Sequence, residues 1–268
     1  MAQSPDNPPG NPPMNPFAAA GVGVHYDRGR PYHHARTLER IVTMVDWVRV
    51  GASHLDRGLD VACGTGMSTV ALAGHADAVF GVDVSAEMMR SARSAPGVHY
   101  LLGRAELLPF RDATFDAATC CSGVHWFDQP RFFAELHRVL RPGGWVGLYD
   151  HYFVGEMVGV PEFADWLRAA LERYPLPPRN PQVGDPRSME PAGFDKIGDE
   201  LFADDIEMTH GELTSYQLTI SNFVDAAEKG ATRADLEAWA LESTAPLFEG
   251  ATTRTVRFLG SITCFRRS

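Results

Sequence analysis

A glycine-rich turn between two aspartates has the residue types and the spacing needed to bind a ligand. The run Leu59-Asp60-Val61-Ala62 predicts a short buried strand, and it ends in Cys63-Gly64-Thr65-Gly66. Because glycine has no Cβ, Gly64 and Gly66 let the backbone approach a ligand closely. Asp83 ends the next apolar run along the chain. A carboxylate at that place can accept hydrogen bonds from both hydroxyls of a ribose.

The turn departs from a dinucleotide-binding fingerprint at two positions. That fingerprint needs glycine or alanine at position 69, where this sequence has Thr69. It needs glycine at position 62, where this sequence has Ala62. Asp60 would repel a pyrophosphate, but it could accept hydrogen bonds, directly or through water, from an ammonium group. The turn at 103–110 adds backbone groups and a carboxylate for a flat base. S-adenosylmethionine, an adenosine with a cationic amino-acid tail, fits these features.

The elements that must position these residues alternate between strands and helices. Apolar runs predict strands at 59–62, 78–82, 98–102, 115–121 and 145–149, with two more predicted at 206–213 and 256–265. Continuous apolar strands separated by amphipathic helices imply a parallel sheet that is covered on both faces. We therefore expect an α/β fold with a doubly wound, mostly parallel, seven-stranded sheet.

The chain divides into three predicted segments. Residues 1–17 contain six prolines and no apolar periodicity, which predicts a disordered proline-rich tail. Residues 18–50 are predicted to form an N-terminal lid segment and a helix at about 37–48. Residues 51–268 would form the main domain, with insertions at about 153–202 and 215–250 whose helices cover the substrate.

Composition excludes several classes of function. The chain has 24 basic and 34 acidic residues, a formal net charge of −10, so binding to nucleic acid or to an anionic membrane is disfavoured. The spacing of its four cysteines fits neither a zinc site nor a disulfide framework. No apolar run approaches the roughly 20 residues needed to cross a bilayer. We expect a cytoplasmic monomer or homodimer that acts on a small molecule.

These motifs, in this order, resemble those of class I S-adenosylmethionine-dependent methyltransferases, particularly the ubiquinone/menaquinone and trans-aconitate branch. Asp60–Gly66 is similar to the family's first motif, Asp83 to its ribose-binding acid, and Arg104–Phe110 to its adenine turn. Phe115-Asp116 resembles the family's fourth-strand signature, and the helix end Leu140–Gly144 resembles the signature that precedes its fifth strand. The resemblance covers about residues 20–150 and implies a Rossmann-like fold.

The resemblance also implies further contacts with the cofactor. Val84 and Met88 would flank the adenine, and Ala105 would offer a backbone N–H to it. Glu106 would replace the Asp or Asn that relatives often carry at 104. The predicted cofactor-binding residues are Tyr26, Arg30, Asp60, Ala62, Cys63, Gly64, Gly66, Asp83, Val84, Met88, Ala105, Glu106 and Cys121.

Several histidines are candidates for catalysis or metal binding. His125 follows the fourth strand, where it could act as a base or instead cap the following helix. His151 follows the fifth strand and is the second candidate base, unless it is a solvated turn residue. His33 and His34 are not predicted to bind a metal, because adjacent histidines do not converge on one face. No metal site is predicted.

The predicted function is methyl transfer from S-adenosylmethionine to an oxygen or nitrogen atom of a small molecule. Aromatic residues of the insertions favour an aromatic or apolar substrate: Phe163, Trp166, Tyr174, Phe202, Tyr216, Phe223 and Trp239. A carboxylate O-methyltransferase of the trans-aconitate type is an alternative. A nicotinamide oxidoreductase, and a protein that binds the cofactor without transferring methyl, are rival hypotheses.

Overall fold

A computed structural model describes residues 22–45, 54–177 and 186–268. The predicted proline-rich tail at 1–17 and the end of the helix predicted at 37–48 lie outside these ranges.

Strands and helices alternate through the first two thirds of the chain. The strands are β1 Leu55–Val61, β2 Ala76–Asp83, β3 Val98–Leu102, β4 Phe115–Cys121, β5 Leu140–Met157, β6 Phe194–Thr209 and β7 Thr253–Arg267. The helices are α1 Val22–Gly29, α2 His34–Met44, α3 Met67–Leu72, α4 Ala86–Arg90, α5 Gln129–Val139, α6 Glu162–Arg173, α7 His210–Gln217, α8 Ser221–Glu228 and α9 Arg233–Thr244.

The seven strands form one sheet in the order β3-β2-β1-β4-β5-β7-β6. All neighbouring pairs from β3 to β5 are parallel, and β7 is antiparallel to both β5 and β6. The predicted α/β fold is therefore confirmed. The strand order reverses on either side of β1, and ligands of doubly wound folds bind beyond the carboxyl ends of the strands at such a point.

Apolar side chains cover both faces of the sheet. Helix α5 packs Phe132, Leu136 and Val139 on one face, and α2 packs Leu38 and Ile41 on the other. Helix α5 begins after Asp128, whose carboxylate accepts a hydrogen bond from the Arg131 N–H and so caps the helix. A third apolar cluster joins α6 and α7 to the far ends of β5 and β7.

The last part of the chain differs from the prediction. Strand β5 continues to Met157, and β6 begins at Phe194, so both extend into the insertion predicted at 153–202. The strand predicted at 206–213 ends at Thr209, because Thr209 and Glu212 form a capping box that starts α7. Helix α7 also begins before the predicted start of the second insertion at 215.

Charged residues explain why apolar runs do not predict β6 over its full length. It pairs with β7 from Phe194 to Thr209 at the edge of the sheet, where alternate side chains face solvent. Acidic residues dominate the exposed positions, and charge on an edge strand disfavours pairing with another chain.

Among the described residues, no helix is long and apolar enough to cross a membrane.

Candidate active site

A cavity of about 830 Å³ opens at the carboxyl ends of the central strands. Its walls come from the loops after β1, β2, β3 and β4, from the middle of β5, from the N-terminal segment around α1 and α2, and from helices of the two insertions. Thirteen of the fifteen predicted cofactor and catalytic residues line it: Tyr26, Arg30, Ala62, Cys63, Gly64, Asp83, Val84, Met88, Ala105, Glu106, Cys121, His125 and His151. Asp60 and Gly66 do not.

The turn after β1 holds three residues in the left-handed region. The φ angles are 58° at Ala62, 53° at Gly64 and 75° at Gly66. A Cβ on Gly64 would approach only the Met88 methyl group, at 3.2 Å, so this glycine leaves space at the cavity wall. A Cβ on Gly66 would lie 2.0 Å from the Tyr100 hydroxyl. Gly66 is therefore needed for packing against Tyr100, and it is not among the residues that line the cavity.

Asp60 is buried beneath this turn rather than exposed to the cavity. Its Oδ2 accepts hydrogen bonds from the hydroxyls of Ser68 and Thr69, both at 2.6 Å. Its Oδ1 accepts one from Thr119 at 3.0 Å. Burial raises the pKa of Asp60 to about 6, although these three hydrogen bonds oppose the shift. Asp60 thus ties β1 to α3 and β4, and it is not among the residues that line the cavity.

Asp83 presents a carboxylate to the cavity at the end of β2. Its Oδ2 accepts the Gly64 N–H and its Oδ1 accepts the Ser85 N–H, each at 2.8 Å. Burial raises the pKa of Asp83, and the backbone N–H groups oppose this effect. The carboxylate is fixed in place, and its remaining lone pairs can accept two more hydrogen bonds.

The loop after β3 forms the neighbouring wall. Ala105 is buried, and Glu106 Oε1 accepts the Asp128 N–H at 3.1 Å. Val84 and Met88 line the same region. These residues bring apolar side chains and a carboxylate to the same cavity, a lining that suits a flat heterocycle with N–H donors.

Arg30 is a buried cation in the wall opposite. Its guanidinium carbon lies 4.7 Å from the centre of the Tyr26 ring and 5.0 Å from that of Tyr216. One Nη donates to the Thr219 carbonyl oxygen at 3.0 Å, while the buried Nε has no hydrogen-bond partner among the described residues. A buried donor without a partner is costly, so this position suits an anionic ligand group.

The two candidate catalytic histidines differ in their surroundings. His125 belongs to a short 3-10 helix, Val124–Trp126, that follows β4. His151 is buried, with its Nε2 3.2 Å from Asp204 Oδ2 and its ring stacked between those of His33 and Phe258. Burial lowers the pKa of His151, and Asp204 opposes this shift. His151 is therefore not a solvated turn residue.

His33 and His34 do converge, contrary to the sequence-based argument. One nitrogen of each ring and Cys121 Sγ all lie within 4.8 Å of one another. They can converge because His33 is the N-cap residue of α2 and only His34 is helical. Both rings line the cavity beside Cys121.

Comparison with known proteins identifies the domain. Residues 59–148 match the family model described as a methyltransferase domain. An uncharacterized methyltransferase of Mycobacterium bovis is 38% identical over 130 residues, 48% of this chain and 49% of that protein. The demethylmenaquinone methyltransferase of Renibacterium salmoninarum is 31% identical over 158 residues, 58% of this chain and 62% of that protein.

A solved structure agrees with the sequence matches. A protein from Anaeromyxobacter dehalogenans, described as a type II methyltransferase, superposes with a TM-score of 0.62 and 25% identity, over 84% of this chain and 94% of that one. The chain carries a class I methyltransferase domain. It spans about half the length of the mycobacterial relative that it matches.

The apolar side chains that line the cavity differ from those that the sequence predicts. Of the seven aromatic residues proposed as its lining, only Tyr216 reaches the cavity. Phe163, Trp166, Phe223 and Trp239 instead pack among themselves in the apolar clusters of the insertions. The apolar lining comes from other residues of the lid and of β5: Phe153, Leu167, Leu171, Leu176 and Ile220.

Sequence reasoning missed two polar residues of the methyltransferase site. Asp204 lies on β6, two strands away from His151. Asn222 starts the first turn of α8, lines the cavity and is buried. Its Nδ2 donates to the Tyr174 carbonyl oxygen at 3.1 Å, so its Oδ1 is left without a partner among the described residues. Neither residue belongs to a local motif, so the sequence holds no signal for them.

Proposed function

We propose that this protein transfers a methyl group from S-adenosylmethionine to an oxygen or nitrogen atom of a small, largely apolar molecule. The observation that carries this proposal is the combination of three features in one cavity. These are the fixed Asp83 carboxylate, the open turn at Gly64 and the buried Arg30 with an unpartnered Nε. Asp83 would bind the ribose of the cofactor. The turn at Gly64 would leave room for the amino-acid tail, and Arg30 would bind the carboxylate of that tail.

The residues around the cavity divide between the parts of the cofactor. Asp83 would accept hydrogen bonds from the ribose hydroxyls, while Val84, Met88 and the loop of Ala105 and Glu106 would enclose the adenine. Arg30 would bind the cofactor carboxylate, with Tyr26 packed against its guanidinium. Ala62, Cys63 and Gly64 would border the amino-acid tail, with Cys121 on its other side.

The cofactor supplies an electrophilic methyl group on a cationic sulfur. The protein's contribution is to bind the acceptor beside that group and to exclude water, since orientation alone can supply roughly 7 to 11 kcal/mol of the barrier. The apolar side chains of Phe153, Leu167 and Leu171 line the same cavity as the polar groups. An acceptor bound against them would be shielded from water on that side.

The unpartnered Asn222 oxygen favours a substrate that carries a hydrogen-bond donor. Apolar side chains surround it on the lid, including Leu171, Leu176 and Ile220. A ligand that fills this region without a donor would leave the Oδ1 atom buried and unpaired, which costs about 1 to 3 kcal/mol. The preferred substrate is therefore an apolar body with at least one hydroxyl or N–H group.

His125 and His151 are the proposed residues for binding or deprotonating the acceptor. A transfer assay uses the protein and S-adenosylmethionine that is labelled in the methyl group. The candidate acceptors are phenols, hydroquinones and aromatic amines, and the labelled product should appear in an organic extract. His125→Ala should lower the rate at least about 100-fold if the histidine acts as a base, with little change in cofactor affinity.

His54→Ala provides the control, because His54 is exposed at the opposite end of the sheet, beside Asp77. It should transfer label at the wild-type rate. If His125→Ala instead loses cofactor affinity, His125 has a structural role. If label stays on the cofactor with every acceptor while the protein binds it, the protein is a binding protein and not an enzyme.

A further inference from the structure

We propose that His33, His34 and Cys121 form a binding site for one Zn²⁺ ion, with an open coordination position towards the cavity. The site goes beyond the proposed methyl transfer and does not depend on it. Two imidazole nitrogens and one thiol sulfur lie within 4.8 Å of one another, and all three side chains line the cavity. Imidazole and thiolate are ligands that select zinc and cobalt over magnesium and calcium.

The hydrogen bonds of His33 leave the required nitrogen free. The Thr37 hydroxyl donates its only hydrogen to the His33 carbonyl oxygen, at 3.2 Å. Thr37 Oγ1 can then accept the His33 Nδ1–H, since the two atoms are 3.3 Å apart. We infer the tautomer in which Nε2 carries the lone pair. A hydrogen bond on the far nitrogen is the usual support of a metal-binding histidine.

Tyr149 connects the other two ligands. Its hydroxyl lies 2.9 Å from His34 Nδ1, and it also interacts with the Cys121 side chain. If Tyr149 accepts the His34 Nδ1–H, its own hydrogen is available to the sulfur, and His34 Nε2 is free. Tyr149 is fully enclosed in the core at the end of β5, so it holds both ligands in place.

The ligands need only a small movement to bind the ion. Tetrahedral zinc, with bonds of roughly 2.0 to 2.3 Å, places its ligand atoms about 3.3 to 3.7 Å apart. Rotation of the side chains by about 1 Å at their tips achieves this. The Cys121 thiol must lose its proton to bind the ion, so binding releases a proton.

Three protein ligands are typical of a catalytic rather than a structural zinc ion. The fourth position faces the cavity, where water or the thiol or hydroxyl group of a small molecule would complete the coordination. A metal-bound hydroxyl or thiol group loses its proton more readily than the free group. The site would therefore favour ligands of these two classes.

Cobalt(II) titration of the full-length, metal-free protein tests the site without a substrate. We expect one Co²⁺ per chain, visible d–d bands typical of tetrahedral coordination, and a near-ultraviolet sulfur-to-cobalt band. Zn²⁺ should displace the cobalt and abolish all bands. Cys121→Ala should remove the sulfur band and weaken binding about 100-fold, and His34→Ala should weaken it similarly. Thr37→Val should weaken it about 10-fold, through loss of the Nδ1 partner of His33.

Cys120→Ala is the matched control, because Cys120 is the neighbouring buried thiol on the opposite face of β4 and does not line the cavity. It should keep the sulfur band. Circular dichroism identifies any variant that has not folded. A cobalt spectrum without a sulfur band, or a band that persists in Cys121→Ala, would overturn the proposal. Binding of S-adenosylhomocysteine, measured separately, reports on the proposed function alone.

Discussion

Replacement of Asp83 by alanine should weaken the binding of S-adenosylhomocysteine at least about 100-fold. The carboxylate is fixed by the N–H groups of Gly64 and Ser85, and it faces the cavity. Two hydroxyl groups that donate to a carboxylate contribute roughly 1.5 to 3 kcal/mol each, and alanine removes both. The turn also loses an acceptor for the Gly64 N–H. Isothermal titration calorimetry measures the affinity directly.

Two variants of the same strand control this result. Asp83→Asn keeps the shape and one acceptor oxygen but removes the charge, so it should bind with intermediate affinity. Asp77→Ala changes an aspartate at the other end of β2 whose side chain is 75% exposed, and it should bind like the wild type. Equal affinity of Asp83→Ala and the wild type would show that the ribose lies elsewhere.

Replacement of Asp60 by alanine should destabilise the protein without any direct loss of a cofactor contact. The variant leaves the buried hydroxyls of Ser68 and Thr69 without their acceptor, while the Thr119 hydroxyl keeps the Leu59 carbonyl oxygen at 3.4 Å. Each unsatisfied hydroxyl costs about 1 to 3 kcal/mol, so the free energy of unfolding at pH 5 should fall by about 2 kcal/mol or more. Urea denaturation measures it. Unchanged stability with lost cofactor affinity would restore Asp60 as a ligand residue.

The pH dependence of stability provides a second test at Asp60. Burial raises its pKa from 3.8 to about 6, so the folded state holds this proton more tightly than the unfolded state. The wild type should therefore lose stability relative to Asp60→Asn as the pH rises from about 4 to about 6. The full difference is about 3 kcal/mol. It should stay constant above that range, and a flat difference from pH 4 to pH 7 would contradict the assignment.

The sequence was sufficient for the central half of the fold because its signals there are local. Continuous apolar runs mark β1, β2 and β4, which are buried on both faces, and Asp83 follows directly from its place at a strand end. Strand β6 is an edge strand with one solvated, acidic face, so neither its length nor its start at Phe194 follows from apolar runs.

The parts of the site that were missed depend on contacts between distant segments. His151 meets Asp204 only because β7 pairs with both strands, placing Gly260 beside His151 and Phe258 beside Asp204. His33 reaches Cys121 through the packing of α2 against the sheet. The direction of the Asp60 side chain, inward to three hydroxyls rather than outward to a ligand, also depends on tertiary packing.

Binding of S-adenosylhomocysteine to the wild-type protein, with NAD as the comparison, tests the central claim most directly. A cavity that combines Asp83, Gly64 and Arg30 for this cofactor should bind S-adenosylhomocysteine with a dissociation constant below about 100 μM, within the range of enzyme substrates. NAD should give no heat of binding at millimolar concentration. Absence of binding by S-adenosylhomocysteine, or equally tight binding of NAD, would contradict the assignment.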